Sequence, residues 1–216
     1  MSAVRAIRSC APGAGDSMAG GTLGVILAGG ASKRFGTNKA LAVVDGRVLV
    51  AHVAARAAPQ LDLLVLNSAD DTAQTGLTVI PDLTAGEGPL AGWIAGLRWA
   101  KAEGFALMAT FACDTPHFPA DTVRRLQAAI TGVDCAMARH DGQVHHTFAL
   151  VRTSALSRIE EAYAGGMRRL RAVGGILSCA LPDFSDNRDG PGGDAFFNIN
   201  TRDDLAVFEG WHGHLR

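Results

Sequence analysis

A glycine pair followed by three cations is the part of this chain best suited to chemistry. In the run Leu27-Ala28-Gly29-Gly30-Ala31-Ser32-Lys33-Arg34-Phe35-Gly36-Thr37-Asn38-Lys39, the paired glycines leave room for a ligand and permit positive φ. Backbone N–H groups in such a turn can converge on an anion. Lys33, Arg34 and Lys39 then fall within seven residues. A triphosphate is held in this way, by backbone donors near one phosphate and positive side chains on the others. Arginine can grip phosphate oxygens with two parallel bonds, whereas lysine acts as a point charge. The loop is not a Walker A motif, because no Gly-Lys-Ser/Thr follows at the required spacing, and it lacks the dinucleotide G-x-G-x-x-G pattern. An ordinary glycine turn with solvated cations is the competing reading.

A second chemical signal is Asp114, in Cys113-Asp114-Thr115-Pro116, directly after the apolar run 106–112. A carboxylate where a buried strand emerges is well placed to hold a hard divalent cation. Mg²⁺ needs only one or two carboxylates when substrate phosphates supply the rest. A turn-forming aspartate before Pro116 is the alternative. Cys113 has no recognisable His/Asn partner pattern and reads as a packed thiol rather than a nucleophile. His140, His145, His146, His212 and His214 fit no zinc spacing and read as polar surface.

These residues need elements to hold them. Short apolar runs at 23–28, 61–67, 77–80, 106–112, 134–138, 147–151 and 196–199 read as strands. Helical spacing covers 48–58, 89–102 and 120–130, with further helices expected from Ser154 and over 202–208. Residues 165–175 are rich in Gly and Arg, and 183–194 form a polar, Gly-rich loop. Strands alternating with helices predict an α/β fold with helices on both faces of the sheet. Strands with little alternation predict mainly parallel pairing. In such sheets ligands bind beyond the carboxyl ends of the strands, at the topological switch. Gly29–Lys39, Asn67, Asp82 and Asp114 each follow an apolar run and are therefore expected to crowd one edge. Gly88, Gly92 and Gly96 recur every four residues along the second helix. Gly96 reads as close helix–sheet packing, while Gly88 opens the helix, where free N–H groups can face a ligand. Asn198 and Asn200 flank Ile199 and, in a strand, would share one face.

Composition excludes several classes. Apolar residues make up 48% of the 216, enough for a sizeable core, and charged residues 19%. A net charge of -1 offers no global field toward nucleic acid or an anionic membrane. Nothing approaches the run of about 18 apolar residues that a membrane span requires. The four cysteines form no CxxC pair and read as reduced thiols, which suits a cytoplasmic protein. Residues 1–17 have no apolar stretch of the secretory kind. Residues 1–21 are expected to be a disordered extension, with Met18 an alternative start, 22–211 a single domain and 212–216 a tail.

With these segments in order, the chain resembles the molybdenum cofactor guanylyltransferases. The resemblance rests on Leu27-Ala28-Gly29-Gly30 with Arg34 and Lys39, Asn67 closing its strand, and Asp82 after Val79-Ile80-Pro81. It continues through Gly88-Pro89-Leu90-Ala91-Gly92, Cys113-Asp114-Thr115-Pro116 and Asn198-Ile199-Asn200-Thr201, spanning roughly 23 to 208. It implies a Rossmann-like nucleotidyltransferase fold, transfer of GMP from GTP to molybdenum-molybdopterin, and Mg²⁺ as the metal. Leu27, Ala28, Gly29, Gly30, Lys39, Asn67, Asp82, Gly88, Asp114, Asn198 and Asn200 are then expected to bind the nucleotide. Arg34, Lys39 and Asp114 would act in catalysis, with Asp114 on the metal. Arg168, Arg169 and Arg171 read as a solvated face that could also meet the acceptor's phosphate.

Relatives that transfer CMP tend to show Ala-Ala-Gly where this chain has Ala28-Gly29-Gly30, so the resemblance favours guanylyl transfer. A cytidylyltransferase, a sugar-phosphate nucleotidyltransferase and a non-catalytic nucleotide-binding adaptor are the rival readings. The implied partners are GTP and molybdenum-molybdopterin as substrates, with transient contacts to other cofactor-biosynthesis proteins or apo-molybdoenzymes, and neither nucleic acid nor membrane. The chain departs from the family pattern at Asn38, often Asp, at His146, often Pro before Thr147, and in the length of the loop 186–194.

Overall fold

A computed structural model describes residues 20–29, 42–69, 75–81 and 88–213, with side chains to Trp211. Seven strands form one sheet in the order β5-β4-β1-β6-β8-β7-β9: β1 Thr22–Leu27, β4 Leu63–Asn67, β5 Thr78–Ile80, β6 Leu107–Ala112, β7 Cys135–His140, β8 Gln143–Arg152 and β9 Cys179–Ala180. β8 alone among them runs against the rest, since it pairs antiparallel with both β6 and β7 while the other pairs are parallel. The mainly parallel α/β sheet expected from the sequence is present.

Both faces of the sheet are covered, which is why its strands read as near-continuous apolar runs. Leu23, Val25 and Leu27 of β1 point to the side occupied by α2 (Pro89–Ala102) and α4 (Leu156–Ala164). Ile26 points to the opposite side, with Val50 and Val53 of α1 (Leu49–Ala57) and Val123 and Leu126 of α3 (Thr122–Ala129). Helix α2 occupies the interval that its spacing predicts, with Pro89 in the first turn. Gly96 lets it settle on the sheet: a Cβ there would lie 2.7 Å from Met108 Sδ and 3.0 Å from Val25 Cγ2.

Two tight hairpins lie between the expected elements. β7 and β8 are joined through Asp141 and Gly142 at φ 47° and 80°, and β2 (Val43–Val44) and β3 (Arg47–Val48) through Asp45 and Gly46 at φ 50° and 73°. Both turns place two successive residues at positive φ, the demand that Asp-Gly meets.

The strand expected at 196–199 is absent, and the segment is a turn followed by irregular chain. The segment joins no ladder because its apolar side chains serve two different cores. Phe196 packs among Phe148 and Phe184, with ring centroids 5.0 and 5.4 Å away. Ile199 instead joins Val44, Leu49 and Phe208 in a third cluster beneath α5 (Arg202–Gly213). A reciprocal cap starts α5: Asp204 N donates to Thr201 Oγ1 at 3.1 Å, and Asp204 Oδ2 accepts from Thr201 N at 2.8 Å and Asn200 N at 2.9 Å. These contacts fix residues 198–201 without a sheet.

Candidate active site

Strand order locates the site. From β1 the chain passes to β4 and β5 on one side, then crosses through α2 to β6 on the other, so the sheet switches between β1 and β6. The carboxyl ends of these strands are tied together. Cys113 N donates to Leu27 O at 3.4 Å, and Ala28 N to Asn67 O at 2.9 Å. Ile199 N donates to Asp114 O at 2.9 Å. Leu27, Ala28, Gly29, Asn67 and Asp114 therefore meet at one edge, with Asn198 and Asn200 beside Asp114. Gly30, Lys33, Arg34, Lys39 and Asp82 lie outside the described residues.

The side chains differ in what they offer. Asp114 is half-buried, with its Oδ1 enclosed. Asn198 and Asn200 are exposed on either side of buried Ile199, in a segment that is not a strand. Asn67 is 1% exposed, and its Nδ2 donates to Ile80 O at 3.1 Å, so the amide braces the ends of β4 and β5. α2 closes over it: a Cβ at Gly92 would come within 2.3 Å of Asn67 Oδ1 and 3.0 Å of Leu27 Cδ2. Gly88 caps α2 with φ 83° and ψ -179°, a left-handed conformation that favours glycine.

The loop after Asp114 is pinned from three sides. Arg56 Nε of α1 donates to Phe118 O at 2.6 Å. His117 Nε2 lies 2.9 Å from Asp189 Oδ2, and its ring sits edge-on to Trp211 at 4.7 Å. Anchors from α1, the loop 183–194 and α5 thus hold the carboxylate on a rigid base. Burial lowers the Arg56 pKa, an effect partly offset by the nearby Asp189 carboxylate.

The set of donors fits a metal that arrives with its ligand. Asp114 would contribute carboxylate oxygens, and Asn198 and Asn200 would add amide oxygens, all hard donors of the kind Mg²⁺ takes. Among the described residues no group of three or more His, Cys, Asp or Glu could hold an ion by itself.

On the α2 and α4 side of the same edge lies a cavity of about 670 Å³ lined by Gly88, Pro89, His146, Thr147, Arg168, Arg169, Leu170 and Arg171. It owes its shape to irregular pairing. Met137 faces Ala149, but the next residue, Ala138, faces His145, so 146–148 bulge from the ladder. Pairing of β6 with β8 also ends at Thr110 and Ala149, leaving the last residues of β6 unpaired on that side. Arg168 is occupied, donating to Tyr163 O at 2.6 Å and stacking 4.1 Å above the Tyr163 ring. Arg169 and Arg171 are exposed. The sequence marked the arginines and His146, but Thr147 enters through the bulge, for which the residue pattern gave no signal.

The surface reading of the histidines needs correction for His140, which is 4% exposed, with Nε2 3.0 Å from Asn187 O. His145 stacks on Phe196 at 4.7 Å, and burial lowers its pKa, with Asp194 opposing. Cys113, Cys135 and Cys179 form no disulfide with one another, and Cys10 lies outside the described residues. Among the described residues no helix is long and apolar enough to cross a membrane.

Comparison with known proteins agrees with this geometry. Residues 24–178 match the family model described as a MobA-like NTP transferase domain. The molybdenum cofactor guanylyltransferase of Rhodobacter capsulatus is 38% identical over 86% of this chain and 94% of its own length. That of Burkholderia ambifaria is 38% identical over 85% and 93%. Among solved structures, molybdopterin-guanine dinucleotide biosynthesis protein A from Archaeoglobus fulgidus superposes with a TM-score of 0.73 at 25% identity, covering 89% of this chain and 99% of that one.

Proposed function

This chain belongs to the family of MobA-like NTP transferase domains, and from that premise we propose that it transfers GMP from GTP to molybdenum-molybdopterin, releasing pyrophosphate. The enzyme is a nucleotidyltransferase. The observation that carries the reading is the meeting of Leu27, Ala28, Asn67, Asp114 and the 198–200 segment at one sheet edge. The guanylyltransferase names of relatives at 38% identity favour GTP over CTP or a sugar phosphate as the reading's specific form.

In this reading the backbone of Ala28, Gly29 and Gly30 faces the nucleotide, and Arg34 and Lys39 neutralise its phosphates. Asn67 keeps the loop start in register with β4, and Asp82 and Gly88 complete the nucleotide side. The acceptor enters from the cavity beside α2, where Arg169 and Arg171 meet its phosphate. That phosphate is already an anion, so in-line attack on the α-phosphorus needs alignment and charge neutralisation rather than a strong base. Asp114, with Asn198 and Asn200 alongside, would hold Mg²⁺, which would supply positive charge to offset the negative charge on the phosphates as pyrophosphate leaves. A cytoplasmic location suits this reading.

Asp114→Asn tests the metal role. Turnover should fall by about two orders of magnitude or more, with the circular dichroism spectrum and urea midpoint close to wild type. Near-normal turnover at ordinary Mg²⁺ concentrations would remove Asp114 from the metal site.

A further inference from the structure

His146 sits on the bulge of β8 and lines the arginine cavity. Its Nδ1 lies 3.4 Å from Met137 Sδ, a weak acceptor, so Nδ1 carries the proton in the neutral ring. Nε2 then bears a lone pair and has no hydrogen-bond partner among the described residues. The groups that face this ring can be named from each neighbouring element. Across the cavity stand Arg168, Arg169 and Arg171, and His145 is adjacent on β8. β7 presents Met137 and α2 presents Gly88 and Pro89, none of which titrates.

We infer that His146 is a specificity residue of the acceptor pocket, its Nε2 taking up a proton and donating a hydrogen bond to a phosphate monoester dianion held by Arg169 and Arg171. The inference rests on the acceptor entering this cavity, as proposed above. In the empty pocket an added positive charge on the ring is unfavourable. Burial, and then the Arg171 charge, hold the His146 pKa below its ordinary value. A dianion placed between ring and guanidinium groups reverses that balance, because an opposite charge within a few ångströms favours the protonated form. Proton and anion therefore bind together: the ring gains one proton from solvent, no covalent bond changes, and the phosphate remains the nucleophile. A neutral or singly charged ligand of similar shape gains less from the same proton, which is how the pocket would prefer a phosphate monoester.

The sign follows from this coupling. Uptake is complete below the pKa of the occupied pocket and is lost as pH rises through it, so acceptor binding weakens toward alkaline pH. The acceptor itself stays mostly a dianion above about pH 6.5, since its second ionisation lies near 6. Steady-state kinetics with GTP and molybdenum-molybdopterin, from about pH 6.5 to 8.5, should show the acceptor KM rising with pH. His146→Gln should raise that KM about tenfold near pH 7 and flatten its pH dependence, leaving the KM for GTP and kcat at saturating acceptor near wild type. An unchanged acceptor KM and pH slope in His146→Gln, with Arg169→Ala and Arg171→Ala both impaired, would overturn the role of His146 while keeping the pocket. If none of the three variants moves the acceptor KM, the acceptor pocket falls as well. A measurement on the unmutated protein guards against misfolding. The His146 Cε1–H resonance, titrated with and without saturating inorganic phosphate, should show its pKa raised by about two units on binding, and an unmoved pKa in phosphate-bound protein would refute the coupling.

Discussion

A methyl group at Gly92 would meet Asn67 Oδ1 at 2.3 Å, whereas one at Gly96 would meet Met108 Sδ at 2.7 Å, the end of a side chain that can move. Both glycines lie on the same face of α2, but they do different work. At Gly92 the amide that braces the end of β4 has to give way, which disturbs its bond to Ile80 and the backbone that receives Ala28. Gly92→Ala and Gly96→Ala should each cost about 1–3 kcal/mol in urea unfolding. Gly92→Ala alone should also raise the KM for GTP several-fold. Equal KM values in the two variants would detach Asn67 from nucleotide binding. The four-residue recurrence of these glycines was legible in the sequence, and so was the packing role of Gly96. What Gly92 packs on was not, because Asn67 reaches it through a sheet assembled from distant segments.

Elements carry the same lesson further. The strands 61–67 and 106–112 and the helix 89–102 were legible because a buried parallel strand and an amphipathic helix leave plain apolar runs. Strand β8 was read as 147–151 because Gln143, His145 and His146 interrupt its apolar run, and residues 146–148 then bulge from the ladder. β9 is two residues long and could give no periodic signal. It is held partly by Asp134, just before β7, whose Oδ2 accepts from Ser178 N at 3.0 Å and Ser178 Oγ at 2.8 Å while Arg158 grips both oxygens. These bonds, from Arg158 first and then Ser178, hold the Asp134 carboxyl well below the usual carboxylate range. A carboxyl depressed in the fold stabilises it fully above the unfolded value near 4, and that contribution is lost as pH falls toward the folded value. Asp134→Asn should therefore lower the urea midpoint at pH 7, with the gap to wild type closing as the pH is taken down through about 4 to 2. A gap that persists undiminished in acid would show that shape, not charge, ties down this edge.

Across the whole molecule, the sheet brings two half-sites to one edge. The switch between β1 and β6 gathers the residues proposed to bind the nucleotide, and the arginine cavity opens beside them where β8 bulges from the ladder. The first half was legible as Leu27-Ala28-Gly29, Asn67 and Asp114, each after an apolar run. Of the second, the arginines and His146 were marked, but the cavity that joins them was not, because it follows from a register shift that no spacing of residue types announces. Joined, the two halves predict one product. The purified protein, incubated with Mg²⁺ and molybdenum-molybdopterin and supplied in parallel with GTP, CTP, ATP or UTP, should form a new species with GTP heavier than the acceptor by one guanylyl group, together with an equivalent of pyrophosphate. Mass spectrometry showing the cytidylyl adduct instead, or GTP bound without any adduct, would contradict the account.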